Sequence, residues 1–132
     1  MSGSNLLGEA LSILGWQAGA EPIHDEYGVM GYRVNDFILV AKKKPYGEIV
    51  SCHKSLMWIA IKEGKKILFY IGASGNFYKF SPNEIHEKVF MWHEGFINYR
   101  KARGKPRVEM VNFSIRLGKR FSLLPEEQLT LF

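Results

Sequence analysis

The sequence predicts a single α/β domain in which helices flank a central mixed β-sheet. The chain has 132 residues, a length that suits one domain with a single core. Its composition, 46% hydrophobic and 14% aromatic, lies far from that of disordered chains. Segments of helical and strand periodicity alternate along the chain, and no repeat, low-complexity stretch or linker separates them.

The first predicted element is a helix over residues 5–18. Leucines recur there at helical spacing, which places them on one face. Ser4 or Asn5 can cap the start of this helix, and Gly19 can close it.

Two strands and a second helix are predicted next. The apolar stretch 31–41 ends in three lysines and is typical of a strand, and residues 45–47 (Pro-Tyr-Gly) predict a turn. A second strand over 48–52 is expected to pair with the first as a hairpin. Residues 55–63, which end at Gly64, are apolar on most faces and predict a short buried helix.

The second half of the chain predicts two strands, a long helix and a last strand. Residues 66–72 are continuously apolar, as in a buried strand, and 77–80 follow after a turn. Ser81 begins a capping box for a helix over 84–101. The alternation over 108–117 predicts the last strand.

Charge is distributed unevenly along the chain, whose formal net charge is +5. Residues 1–41 hold five acids and one base, residues 42–66 hold seven lysines and two glutamates, and residues 100–120 hold eight bases and one glutamate. The two basic blocks are either an electrostatic footprint for a polyanion or a solvated lysine-rich surface.

The cysteine count and the hydropathy exclude several classes of protein. The one cysteine, Cys52, cannot form an internal disulfide or a cysteine-rich zinc site, and we expect it in the core. No apolar run reaches the roughly 18 residues of a membrane span, and no basic region begins a secretory signal. These features favour a soluble, cytoplasmic protein with no membrane partner.

The stretch from Asp36 to Lys54 places an acid on one predicted strand and a lysine at the end of its partner. It resembles the core of the PD-(D/E)XK, or restriction-endonuclease-like, nucleases, and is most similar to archaeal-type Holliday-junction resolvases. The resemblance covers residues 5–86. It implies a restriction-endonuclease-like domain over 1–124 that acts as a DNA endonuclease in recombination, repair or mobile-element biology. It also implies a nucleoid-associated homodimer, because cutting two strands needs two sites.

The resemblance also assigns site residues. Glu9 matches the helix glutamate of that family, Asp36 the strand aspartate and Lys54 the motif lysine. In such sites convergent carboxylates hold Mg²⁺ or Mn²⁺, which polarises the phosphate and lowers the pKa of the attacking water. The lysine stabilises the developing charge.

The sequence departs from the family pattern at one metal-binding position. Cys52 stands where the motif has glutamate, and cysteine does not suit a hard Mg²⁺ ion. Glu48 points to the same strand face about 13 Å away at roughly 3.3 Å per residue, and is the available replacement. Three alternatives stay open: a remodelled site with Glu9, Asp36 and Glu48 as metal ligands, a catalytically silent DNA-binding or clamp-recruited module, and a small α/β protein with no nucleic-acid partner.

Two basic tracts are predicted to contact DNA phosphates by releasing counterions. A solvated surface is the alternative for both. The predicted DNA-binding residues are Lys42, Lys43, Lys44, Arg100, Lys101, Arg103, Lys105 and Arg107.

The tail over 125–132 ends in Gln-Leu-Thr-Leu-Phe, which resembles the sliding-clamp-binding peptide of bacterial replication and repair proteins. The resemblance implies that Gln128, Leu129, Leu131 and Phe132 bind a clamp, with Gln128 at the edge of an apolar pocket that Leu131 and Phe132 fill. The alternative is a terminal segment that packs these side chains on the core.

Overall fold

The computed structural model describes residues 3–26, 28–88, 94–104 and 110–122. The helices are α1 (Gly3–Leu14), α2 (Lys54–Glu63), α3 (Pro82–Lys88) and α4 (Glu94–Ala102). The strands are β1 (Glu21–Asp25), β2 (Gly28–Val34), β3 (Phe37–Lys42), β4 (Ile49–His53), β5 (Lys66–Ile71), β6 (Asn76–Phe80), β7 (Met110–Ser114) and β8 (Lys119–Phe121).

The central sheet has six strands in the order β1-β2-β3-β5-β6-β8. Strands β1, β2 and β3 form an antiparallel meander, β3 pairs in parallel with β5, and β6 and β8 continue antiparallel. The sheet is therefore mixed and helices flank it, which confirms the predicted fold class. Strands β4 and β7 form a separate two-stranded sheet.

The central sheet has a different cover on each face. Helix α1 packs on the face that carries Leu39, Leu68 and Tyr70. The opposite face, with Ile38, Val40, Ile67 and Phe69, packs against α2, β4 and β7. This alternation follows from the period of two along each strand. The sheet consequently separates α1 from α2 and from the small sheet.

The predicted strand over 31–41 is wrong because the chain turns in its middle. Residues 35 and 36 (Asn-Asp) form a turn between β2 and β3, and Asn35 adopts φ 51°. Asparagine tolerates this left-handed conformation better than other non-glycine residues. Asp36 therefore lies in a turn and not within a strand.

The predicted pairing of the Asp36 strand with the 48–52 strand is also wrong. Both edges of β3 are occupied, by β2 and β5, and β4 pairs with β7. The physical reason is the apolar character of β3 on both faces, where Ile38, Leu39 and Val40 are all buried. Such a strand belongs in the centre of a sheet and not at a hairpin edge.

The helix boundaries agree with the sequence except at α1. That helix ends at Leu14, and Gly15 with φ 71° follows it, so Gly19 does not close it. Ser4 and Asn5 lie inside α1 and not before it. Helix α2 is confirmed, with Gly64 at φ 68° as its left-handed C-cap.

The predicted elements of the second half are confirmed in part. Strands β5 and β6 are present, and the Glu84 amide donates to Ser81 Oγ at 3.4 Å as a helix cap. Residues 89–93 lie outside the described residues, so the continuity of the predicted 84–101 helix is not described. The last strand ends at Ser114, because residues 115–117 turn into a 3-10 helix.

Candidate nucleic-acid interface

Glu9 lies on α1, on one face of the central sheet. Its carboxylate accepts a hydrogen bond from the Tyr70 hydroxyl at 2.5 Å. Burial, and then the bond to Glu9, raises the pKa of Tyr70 to about 12. Glu9 therefore anchors α1 to β5.

Asp36 lies at the opposite end of the sheet from this contact. Tyr70 pairs with Ala41, five residues beyond Asp36 and about 16 Å away at roughly 3.3 Å per residue. The Asp36 side chain is exposed, and its carbonyl accepts a hydrogen bond from the Lys66 amide at 3.1 Å. Glu9 and Asp36 thus do not meet at one site.

Glu48 and Lys54 lie on the other side of the sheet from Glu9. Glu48 precedes β4, and its carboxylate forms an ion pair with Arg116 at 2.7 Å. Lys54 is the first residue of α2 and is 7% exposed. Lys54 therefore lies where β4 ends and α2 begins, on the α2 side of the central sheet.

The structure does not bring the predicted metal ligands together. Glu9 accepts a hydrogen bond from Tyr70 on the α1 face of the central sheet, and Asp36 lies in a turn at the end of the sheet away from this bond. Glu48 forms an ion pair with Arg116 beside the two-stranded sheet. Within residues 3–26, 28–88, 94–104 and 110–122, no three His, Cys, Asp or Glu side chains group closely enough to hold a metal ion. These three carboxylates do not fit a shared Mg²⁺ or Mn²⁺ ion.

Cys52 and His53 do not form a catalytic pair. Cys52 is 2% exposed, as expected for a core cysteine, and burial raises the pKa of its thiol to about 12. The His53 ring serves α2 instead, because Nδ1 accepts from the Ser55 amide at 3.2 Å and lies 2.7 Å from Ser55 Oγ. Cys52 is thus held as a neutral thiol and His53 as a helix cap.

A cleft of about 220 Å³ opens beside Cys52, between the central sheet and β4. Its polar lining comes from Asp25, Lys42, Ser51 and His53, and the remaining walls are apolar. No sequence motif indicated Asp25, because it ends an edge strand and has no regular spacing from Lys42, Ser51 or His53. The cleft places one acid and one base on the face opposite Glu9.

The fold divides the lysine-rich block 42–66 between two ends of the sheet. Lys42 pairs with Ile71 and Phe37 pairs with Lys66, so Lys42 and Lys66 lie about 16 Å apart at roughly 3.3 Å per residue. Lys42–Lys44 mark the C-terminal end of β3. We call residues 42–46 and 71–76, with Arg120, the lysine end of the sheet.

The backbone of the lysine end is fixed by hydrogen bonds between two loops. The amide of Gly72 donates to the Lys42 carbonyl at 2.8 Å, and the amide of Ala73 donates to the Lys43 carbonyl at 2.7 Å. Lys43 and Lys44 are exposed and Lys42 is half-buried. Within the described part of the chain, no carboxylate lies within 4.0 Å of these three ammonium groups.

Arg120 extends this basic surface across the sheet. Its guanidinium donates to the Asn76 side chain, and Asn76 pairs with Ile71, the partner of Lys42. Three strand spacings of about 4.8 Å separate β3 from β8, and Arg120 aligns with Val40, so the Cα atoms of Lys42 and Arg120 lie about 16 Å apart. A DNA strand presents one phosphate per 3.4 Å of helix axis, so this width matches several phosphates.

The opposite end of the sheet is balanced by acids. Arg33 forms ion pairs with Glu63 at 3.0 Å and Glu21 at 3.5 Å, and Lys88 pairs with Glu84 at 2.8 Å. The Arg33 guanidinium lowers the pKa of Glu63 by hydrogen bonding and by its charge. The charges of Lys65 and Lys62 also lower the pKa of Glu63. The hydrogen bond from Lys88 lowers the pKa of Glu84, and the charge of Lys66 lowers it further. At the lysine end, Lys42 shares a cleft with Asp25, and Lys43 and Lys44 form no ion pair with a described carboxylate.

The second predicted basic tract is described in part. Arg100 and Lys101 lie in the last turn of α4, and the Arg103 guanidinium lies 4.4 Å from the centre of the Tyr99 ring. Lys105 and Arg107 lie outside the described residues, as do the clamp-like tail 125–132 and its Gln128, Leu129, Leu131 and Phe132.

Comparison with protein-family models, with curated proteins and with solved structures finds no match to this chain. Within the described part of the chain, no helix is long and apolar enough to cross a membrane.

Proposed function

We propose that this protein binds DNA through phosphate contacts at the lysine end of the sheet, as a catalytically silent module. The single observation that carries the proposal is the location of Lys42–Lys44. They lie at an anchored end of β3, at the same end of the sheet as Arg120, and form no ion pair with a carboxylate among the described residues. A cluster of this kind attracts a polyanion and releases its counterions on binding.

The endonuclease predicted from the resemblance has less support than binding. Its three carboxylates lie apart, and Glu48 already neutralises Arg116. A hydrolytic mechanism through a divalent metal needs carboxylates that converge on one ion. We therefore derive no cleavage step for Glu9, Asp36, Glu48 and Lys54.

A pair of matched charge variants tests the proposal. One changes Lys42, Lys43 and Lys44 to Gln, and the other changes Lys62, Lys65 and Lys66 to Gln at the acid-balanced end. Each variant removes three positive charges. Fluorescence anisotropy with a labelled duplex, measured over a series of salt concentrations, gives the salt slope of the binding constant.

In the first variant we expect the slope of log K against log salt concentration to become shallower by up to about 2.7, because each of three lost phosphate contacts contributes about 0.9. The second variant keeps a slope close to that of the wild type. Equal losses in both variants mean that net charge alone drives binding and contradict the proposed surface. If the wild type cleaves the same duplex in a metal-dependent reaction that Asp36→Ala abolishes, the protein is an endonuclease and the proposal of a catalytically silent module is wrong.

Other partners stay predictions from the sequence. A peptide of the last ten residues is expected to bind a sliding clamp with an affinity on the order of micromolar, as short docking motifs do. A homodimer and a nucleoid-associated location are implied by the resemblance to the restriction-endonuclease-like nucleases, and a cytoplasmic location is predicted from the composition. Sedimentation of the chain with and without DNA tests the homodimer.

A further inference from the structure

The turn that follows the three lysines presents one aromatic ring to solvent. Tyr46 is 91% exposed. Tyr46 flanks the two-residue turn of Gly47 and Glu48 and pairs with Ile49 through its backbone. Because its side chain is almost fully exposed, the ring itself contributes little to the stability of the fold.

The backbone under Tyr46 is a rigid support. Tyr46 and Ile49 exchange two backbone hydrogen bonds of 2.9 Å, and Gly47 adopts φ 61° inside this tight turn. The Ile115 amide donates to the Glu48 carbonyl at 2.8 Å, and Arg116 holds the Glu48 side chain at 2.7 Å. A ring on such a support binds a partner without the cost of ordering a loose loop.

One lysine and a shallow cleft adjoin the ring. Lys44 lies two residues before Tyr46, so their Cα atoms are at most about 7 Å apart. A cleft of about 310 Å³ adjoins the turn through Pro45 and carries polar groups from Ser74 and Asn76. A flat aromatic group bound on Tyr46 would keep an attached phosphate within reach of Lys44.

We infer that Tyr46 stacks on an unpaired base, and that the lysine end therefore prefers single-stranded DNA to duplex DNA. This inference rests on the proposed function. Bases within a duplex already stack on each other, and inserting a side chain between them costs a few kcal/mol of unstacking. Unpaired bases expose both faces, and aromatic residues that alternate with cations are the usual platform for them.

The test compares three probes of equal length, about 16 nucleotides. They are an oligothymidylate, an abasic strand with the same phosphates and no bases, and a duplex. The variants are Tyr46→Ala, Tyr46→Phe, which keeps the ring, and Ile13→Ala. Ile13 is a matched control because it is 54% exposed on α1, across the sheet from the lysine end.

We expect Tyr46→Ala to weaken oligothymidylate binding by about 5- to 150-fold, the range for one stacked base. Binding of the abasic strand and of the duplex stays at the wild-type level, and Tyr46→Phe and Ile13→Ala bind all three probes normally. Equal binding of oligothymidylate and the abasic strand by the wild type overturns the inference. A loss that is equal for all three probes in Tyr46→Ala also overturns it, because the residue would then act through the fold.

The two proposals fail in distinguishable ways. If the phosphate surface is wrong, the triple Lys42–Lys44 variant binds the duplex and the abasic strand as the wild type does. If only the stacking is wrong, that variant loses binding to every probe while Tyr46→Ala loses none. If the wild type binds no probe, both proposals are wrong.

Discussion

Strand β2 approaches β3 so closely at Gly31 that a side chain cannot fit there. An added Cβ atom would lie 2.6 Å from the Leu39 carbonyl oxygen, where ordinary contacts begin at 3.4 Å. The obstacle is backbone in the centre of the sheet, so it cannot rotate away as a flexible side chain would. Gly31→Ala must therefore push β2 from β3 or distort the β2–β3 ladder. Overpacking of this kind costs about 1–3 kcal/mol.

Urea denaturation of Gly31→Ala and of Gly8→Ala measures this cost. Gly8 lies inside α1 with no heavy atom within 4 Å of its added Cβ, so alanine there stabilises the protein by about 0.5–1 kcal/mol. We expect Gly31→Ala to lower the unfolding free energy by about 1–3 kcal/mol and Tm by roughly 3–15 °C. If Gly31→Ala is as stable as the wild type, the β2–β3 pairing is wrong, since one continuous strand over 31–41 would keep Gly31 away from Leu39.

Three further outcomes follow from the contacts of single side chains. At pH 8 the thiol of Cys52 reacts with dithiobis(nitrobenzoate) only after the protein opens, because it is buried and its pKa is raised to about 12; immediate labelling of native protein would contradict its burial. Arg33 lowers the pKa of Glu63 in the folded protein, so the ion pair stabilises the fold above the pKa of the unfolded carboxyl group and is lost as the pH falls through the pKa of the folded one. Glu63→Gln therefore lowers the unfolding free energy in urea by up to about 1 kcal/mol at neutral pH and leaves it unchanged in strong acid. An equal loss at both pH values would exclude this ion pair as the cause. The pKa of Tyr70 is raised to about 12, so the folded state keeps a proton that the unfolded state loses near pH 10, and the unfolding free energy falls between about pH 10 and 12. In Tyr70→Phe the unfolding free energy falls less steeply over this pH range. An unchanged dependence on pH would exclude the titration of Tyr70 as the cause.

The sequence predicted those elements whose signals are local. The cap at Ser81, the glycine that ends α2 and the continuous apolar run of β5 each depend on a few neighbouring residues, and each is confirmed. The turn at Asn35 and Asp36 was missed because it contains neither glycine nor proline, although asparagine and aspartate are themselves turn residues, so a local signal for this turn was present.

Strand pairing and the candidate site depended on information that local pattern does not carry. Strand β3 takes β5 as its neighbour through a crossover of more than twenty residues, and no short-range rule favours that partner over the adjacent β4. The prediction therefore placed Asp36 on a strand and Lys54 at the end of its partner, whereas the structure has Asp36 in a turn and Lys54 on the far side of the sheet from Glu9. The lysine run was found from composition alone, whereas its separation from Lys66 follows only from the parallel register.

The most direct measurement of the DNA-binding claim is a backbone amide NMR titration of the wild-type protein with a short DNA duplex. We predict that the largest shift changes fall on residues 42–46 and 71–76 and on Arg120, that they shrink as salt is added, and that the amides of residues 33–36 and 62–66 at the opposite end of the sheet hardly move. Changes centred on residues 33–36 and 62–66, or an absence of changes at the lysine end while DNA is bound, would contradict the account.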